Sequence, residues 1–233
     1  MAEQGRADFQ LIQFPAPRRT APPGDIGDLR FRALIGEPAW ARLPEAVRTR
    51  FGKRISAASI AIYSGEIVEC RMSRAGWLLA QAARLIGGPL PTRRDLFVPA
   101  IVAVTEEPAS GGQLWTRIYG RARGFPQVIN SCKSFSGPTG LEERIGGGFG
   151  IALNVEVESE ALHFVSDHYF IAAWRGLRLR IPRWLSPGRL RVSHVDCGHK
   201  LFAFVLSLDH PWLGELVRQT AMFSERREPG EVG

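Results

Sequence analysis

Along residues 97–223, apolar and polar positions alternate in short runs, the period of half-buried strands. Candidate strands fall at 97–105, 113–120, 127–135, 141–145, 151–158, 162–172, 177–184, 190–196, 200–208 and 216–223. Between them lie Ser110-Gly-Gly112, Ser136-Gly-Pro138, Gly146-Gly-Gly148, Ser186-Pro-Gly188 and Cys197-Gly198, residues that favour tight turns. Upstream, 55–63 and 66–73 read as two strands around a Ser64-Gly65 hairpin. Trp77, Leu78, Ala82, Leu85 and Ile86 then take up helical spacing until Gly87-Gly88-Pro89 ends it. Two short helices precede the strands. Asp28 is placed to cap one that carries Leu29, Phe31, Leu34 and Ile35 and stops at Gly36. The other starts near Leu43 with Pro44 in its first turn and an apolar pair, Val47 and Phe51, four residues apart. The fold class that follows is mainly β (α+β). It is a large curved antiparallel sheet or barrel-like meander with two short N-terminal helices and one inserted apolar helix, since so many consecutive hairpins rarely stay flat.

Composition agrees with a globular chain: of 233 residues 45% are hydrophobic and 23% charged. Residues 28–226 are expected to form one β-rich domain. Pro15, Pro17, Pro22 and Pro23 make 1–27 a flexible leader, with Phe9 to Phe14 as one short element able to dock as a strand, and 227–233 a flexible tail. The net charge of +7 is almost all arginine, because lysine occurs only at 53, 133 and 200. No helix-turn-helix and no aromatic RNA-binding strand motif accompanies it, so no nucleic-acid partner is expected. Cys70, Cys132 and Cys197 are widely spaced, which fits a reducing compartment and neither a disulfide framework nor a structural zinc site. With no signal peptide and no apolar run of about 18 residues, the expected location is cytoplasmic.

Several strings could carry chemistry. Gly146-Gly-Gly-Phe-Gly150 lacks the Lys-Ser/Thr pair and the helix of a phosphate loop and reads as a bend between strands. His163, Asp167 and His168 divide between two faces of one strand, whereas His194, Asp196, Cys197 and His199 straddle a turn where they could converge. No cofactor or metal is assigned to either group. In Arg175 to Arg191, Arg178 and Arg180 alternate with Leu177, Leu179 and Ile181, and Arg189 and Arg191 follow. If the two strands pair, these arginines form a cluster on one sheet face, either a solvated polar side or an anion site. The apolar helix from Gly76 to Leu90 reads as core packed over one end or face of the sheet. The other reading is a lid over a cavity, or a segment in peripheral contact with a membrane.

Residues 31–225 resemble a bacterial family, domain of unknown function 4166. The likeness rests on Arg42-Leu-Pro-Glu-Ala-Val47, on the apolar helix ending in Gly-x-Pro, and on Trp115-Thr-Arg117. It continues through Leu141-Glu-Glu-Arg-Ile-Gly146, Ile181-Pro-Arg-Trp-Leu185 and His210-Pro-Trp-Leu-Gly214. The resemblance implies no established activity. Members often follow an NAD-binding oxidoreductase-like domain; this chain has no Rossmann-type alternation, so no redox role carries over, and an oxidoreductase remains only as a partner on a separate chain. The polar motif residues Trp115, Arg117, Glu143 and Arg144 need partners if buried, as a ligand group or as an internal Arg–carboxylate pair. Together with Arg178, Arg180 and Arg191 they are the candidate ligand-binding residues. The leading expectation is a non-catalytic module for a hydrophobic or amphipathic, or anionic, small molecule. The alternative is an enzyme with His163 or His194 as general base.

Overall fold

The computed structural model describes residues 27–55, 59–172 and 177–225. The short N-terminal element, the leader, the tail and Arg175 lie outside the described residues. Among the described residues eleven antiparallel strands are present: β1 (Ala61–Met72), β2 (Pro99–Glu107), β3 (Gly112–Tyr119), β4 (Gln127–Ser134), β5 (Glu142–Arg144) and β6 (Phe149–Glu158) come first. β7 (Ala161–Ala172), β8 (Arg178–Arg180), β9 (Arg189–Gly198), β10 (Leu201–His210) and β11 (Gly214–Glu225) complete them. β1 to β7 pair in chain order, β7 pairs with β9, β9 with β10, β10 with β11, and β11 returns to β1. Ten strands thus close into a barrel, which removes exposed sheet edges. β8 stays outside this circuit, paired to Phe170–Ala172 of β7.

The period-two pattern explains the interior. Ala100, Val102 and Val104 of β2, Phe202 and Leu208 of β10, and Ala221 and Phe223 of β11 are buried. The hairpin expected at Ser64-Gly65 is instead the middle of one twelve-residue strand, β1. Gly65 sits there because a Cβ would collide with the Met222 carbonyl of β11, so the glycine marks a close backbone approach rather than a turn. The expected strand 177–184 shrinks to three residues and then becomes a 3-10 turn, Arg183–Leu185, after Pro182.

Helices finish the two ends differently. At one end α1 (Arg30–Ile35), α2 (Glu37–Ala41) and α3 (Glu45–Gly52) pack over the opening. Among the described residues the helices before β1 number three rather than two, because Pro38 sits in the first turn of a further helix directly after Gly36. The N-cap of α1 is Leu29, which makes no side-chain capping bond, rather than the expected Asp28; one residue earlier, Asp28 Oδ1 accepts from the Arg30 amide at 3.0 Å. Phe31, Val47 and Phe51 are buried, and Phe31 meets Phe51, Phe135 and Phe164 edge-on at 4.9–5.9 Å.

At the other end α4 (Arg74–Ala82) and a 3-10 turn, Ala83–Ile86, lie across the mouth. Ser73 caps α4 by accepting from the Gly76 amide at 3.1 Å, and Gly87, at φ +102°, ends the turn. Gly76 lets α4 approach β11, since a Cβ would strike the Leu216 carbonyl. Among the described residues, no helix is long and apolar enough to cross a membrane.

Candidate ligand cavity

Beneath α4, the barrel mouth opens into a cavity of about 420 Å³. Its wall is apolar: Leu79 and Ile86 from the lid, Ile151, Tyr169, Leu190 and Leu206 from the strands. Two charged side chains, Arg117 and Glu143, reach it. Such a shape, mostly apolar with a few convergent polar groups in a barrel mouth, is that of small-molecule sites in general.

Alternation along three neighbouring strands builds this polar floor. Trp115 and Arg117 of β3, Ser131 and Lys133 of β4, and Glu143 of β5 are all two residues apart or cross-strand partners, so they share the inner face. Arg117 donates to Ser131 Oγ at 2.6 Å and lies 3.2 Å from Glu143 Oε1. Lys133 Nζ lies 2.9 Å from Glu143 Oε2 and 4.6 Å from the Trp115 ring centroid, over the face of the indole. Trp115 is held in turn by donating to Gln113 Oε1 at 3.1 Å. Deeper still, a void of about 40 Å³ touches Arg117, Lys133, Trp115 and Gln219.

The electrostatics of the floor are unbalanced. A buried Lys133 and a half-buried Arg117 face one buried carboxylate, and Arg117 Nε has no hydrogen-bond partner among the described residues. Burial alone would push the Glu143 carboxyl up, but Lys133 and Arg117 outweigh it and hold its pKa at about 2. Burial pushes the Lys133 ammonium down, with Glu143 opposing. Tyr169, on the cavity wall, is pushed up to about 12 by burial.

Of the residues singled out from sequence, Trp115, Arg117 and Glu143 come together here. The other four stand on the outer wall, each with its own partner. Arg144 donates to Ser134 Oγ at 2.9 Å. Arg178 pairs with Glu142, Arg180 lies 3.8 Å from Asp167, and Arg191 pairs with Glu158. The expected cluster does not form because β8 pairs with β7, not β9, which separates Arg178 and Arg180 from Arg191. Lys133 escaped notice although it follows Ile129 and Ser131 on one face of β4. That shared parity, read across to Glu143, was the available signal.

The histidines lie elsewhere. His194 points inward at the plugged end, stacked on Phe202 at 4.9 Å and edge-on to Phe51, and burial and then Arg50 push its pKa down to about 3. Cys197 and His199 are exposed at the following turn, so these three side chains do not converge. His163 is bound to Ser193 Oγ at 2.7 Å on the outer wall, where burial pushes its pKa down. Neither His163 nor His194 lines the cavity.

Comparison with known proteins gives one match: domain of unknown function (DUF4166), over residues 43–223. The match covers most of the chain, and the chain belongs to that family. No curated protein and no solved structure matches it.

Proposed function

For this member of the DUF4166 family we propose a non-catalytic module that binds an amphipathic monoanion, an acyl-chain carboxylate. The tail occupies the apolar cavity beneath α4, and the carboxylate meets Arg117 at its floor, with the Lys133 charge behind it beside the deeper void. One observation carries the reading: Arg117, half-buried, and Lys133, buried, share the single carboxylate of Glu143, and Arg117 and Glu143 line an apolar cavity of about 420 Å³. An unbalanced charge in a low-dielectric interior is costly, and an anionic headgroup offsets it. The free Arg117 Nε offers a further charge-assisted hydrogen bond. The apolar wall accounts for the tail, because burying each methylene contributes about 0.8 kcal/mol.

The test is calorimetric titration of the whole chain with oleate and, separately, with oleyl alcohol. Oleate is expected to bind tightly and the alcohol weakly. Arg117→Met should weaken oleate at least about tenfold, the loss of one charge-assisted hydrogen bond, and leave the alcohol nearly unchanged. Equal affinity for acid and alcohol, or binding of neither, would overturn the reading.

A further inference from the structure

The lid helix has a second side. Opposite the cavity, Trp77, Gln81 and Arg84 border a groove of about 740 Å³ whose remaining wall includes Arg93, Arg94 and Arg121. Four arginines face one acid there, Asp95, an excess of three positive charges. None of the four makes an ion pair with a described residue. The floor is pre-set: Arg121 donates to Thr92 Oγ1 at 3.0 Å, and Thr92 is bound through its amide and hydroxyl to Gln127 Oε1 at 3.1 and 3.0 Å. Gln127 is itself fixed by donating to the Gly88 and Leu90 carbonyls at 3.0 and 2.8 Å. A groove so built receives an anion without first ordering its own frame.

Apolar side chains stand exposed at the same end of the barrel. Leu85 of the 3-10 turn is 89% exposed and Leu78 of α4 62%. Trp212 in the β10–β11 turn is 77% exposed, Trp184 before β9 71%, and Phe125 between β3 and β4 89%. Because the strands are antiparallel, these connections all lie at the end of the barrel that α4 covers. Aromatic and aliphatic side chains exposed at the same end as a cationic groove match the interfacial layer of a charged membrane, where indole rings sit at headgroup depth and arginines meet phosphates. Leucines project from the same surface, and these add nothing to a nucleic-acid contact built on base stacking.

We infer that this end of the barrel docks onto an anionic phospholipid bilayer, with headgroup phosphates in the Arg84, Arg93, Arg94 and Arg121 groove and Leu78, Leu85 and Trp77 in the interfacial layer. The surface stands on the outside of the mouth and does not depend on the cavity being filled. Docking would bring the opening under α4 against the membrane.

The experiment is flotation of the purified full chain with vesicles of phosphatidylcholine alone or phosphatidylcholine doped with phosphatidylserine, with no added ligand. Co-flotation is expected with the anionic vesicles only. Each arginine near such a surface is worth about fivefold in affinity, so Arg93→Glu/Arg94→Glu should lose at least about 25-fold. Leu85→Asp should also reduce flotation. Arg42→Glu/Lys53→Glu, the same charge change at the plugged end, should float like the parent, and circular dichroism melts confirm that each variant is folded. Failure to float with anionic vesicles overturns the inference, as does equal loss in the two double variants. Retention of a short RNA in place of vesicles through the same arginines also overturns it. Oleate titration is done without vesicles, so the docking surface and the ligand reading fail separately.

Discussion

At one end of the barrel Phe31 is wholly buried and meets three phenylalanine rings; at the other, Leu85 and Trp212 stand in solvent. Both ends are made of the same hairpins, yet the turns differ. The plugged end has Ser159-Glu160 and His199-Lys200 in its connections, exposed polar residues at positive φ. The mouth has Trp184, Trp212 and Phe125 in its connections. The plug spends its apolar side chains on the core, whereas the mouth leaves them outward and keeps a cavity beneath the lid. The lesson is a division of labour: the plug buries its aromatic side chains in a core that runs on to α4, and the apolar side chains and cavity free to meet ligands lie at the other end.

The sharpest way to break this contrast is Phe31→Ala. It removes a fully buried ring from a cluster of four aromatic side chains and is expected to cost about 3–5 kcal/mol, measured by urea unfolding. A loss below about 1 kcal/mol would mean that the plug aromatics do not form such a core.

Next is Glu143→Gln, which leaves Lys133 and Arg117 facing each other without a carboxylate. Breaking a buried pair in this way costs about 3 kcal/mol. If the floor accepts an acyl carboxylate, oleate should raise the melting temperature of this variant more than that of the parent. Acid acts on the same group. Its folded pKa of about 2 lies below the ordinary carboxyl value, so its contribution is present above about pH 4.5 and is lost as pH falls toward 2.

His194 titrates in a higher window and belongs to the plugged end. Its pKa is pushed down to about 3, so the folded chain keeps it neutral while the unfolded chain protonates near pH 6.5. Stability from this group is therefore complete above 6.5 and declines as pH falls toward 3. At pH 5 the loss relative to pH 7 is about 2 kcal/mol. His194→Phe, which keeps the ring among Phe51, Phe202 and Phe204, should unfold with a visibly flatter pH profile between 5 and 7. An unchanged slope would place the acid sensitivity elsewhere.

The same contrast explains what was legible in the sequence. Strand bodies were, because burial on one face imposes period two: β4 begins at Gln127 as expected, and β6, β7, β9 and β10 differ from expectation by two residues or fewer at each end. The inward direction of Trp115 and Arg117 follows from the same rule. Gly65 misled because a glycine in Ser-Gly looks alike in a turn and at a close crossing of two strands; only the position of Met222, far along the chain, decides between them. Closure of the barrel, the partner of β8, and the meeting of Lys133 with Glu143 depend on pairings between strands, which local patterns do not specify. The arginine groove was the least legible. Arg84, Arg93, Arg94 and Arg121 come from a 3-10 turn and two loops, and only the barrel topology brings them to one place.

The smallest expected effect is at the mouth. Trp212 lies in the His210 to Gly214 turn, is mostly exposed, and meets the His210 ring edge-on at 5.6 Å. Trp212→Ser removes as large a side chain as any in the protein, yet it opens no cavity and leaves no buried polar group unpaired. The change in unfolding free energy should stay within about 0.5 kcal/mol, roughly a tenth of the upper figure for Phe31→Ala. A larger loss in urea unfolding would mean that the mouth aromatics already have a partner within the fold, and the contrast between the two ends would weaken with it. A neutral result has the opposite force: an indole that does nothing for folding, at the barrel end that carries the cationic groove and the cavity opening, is free for contacts the isolated chain does not make.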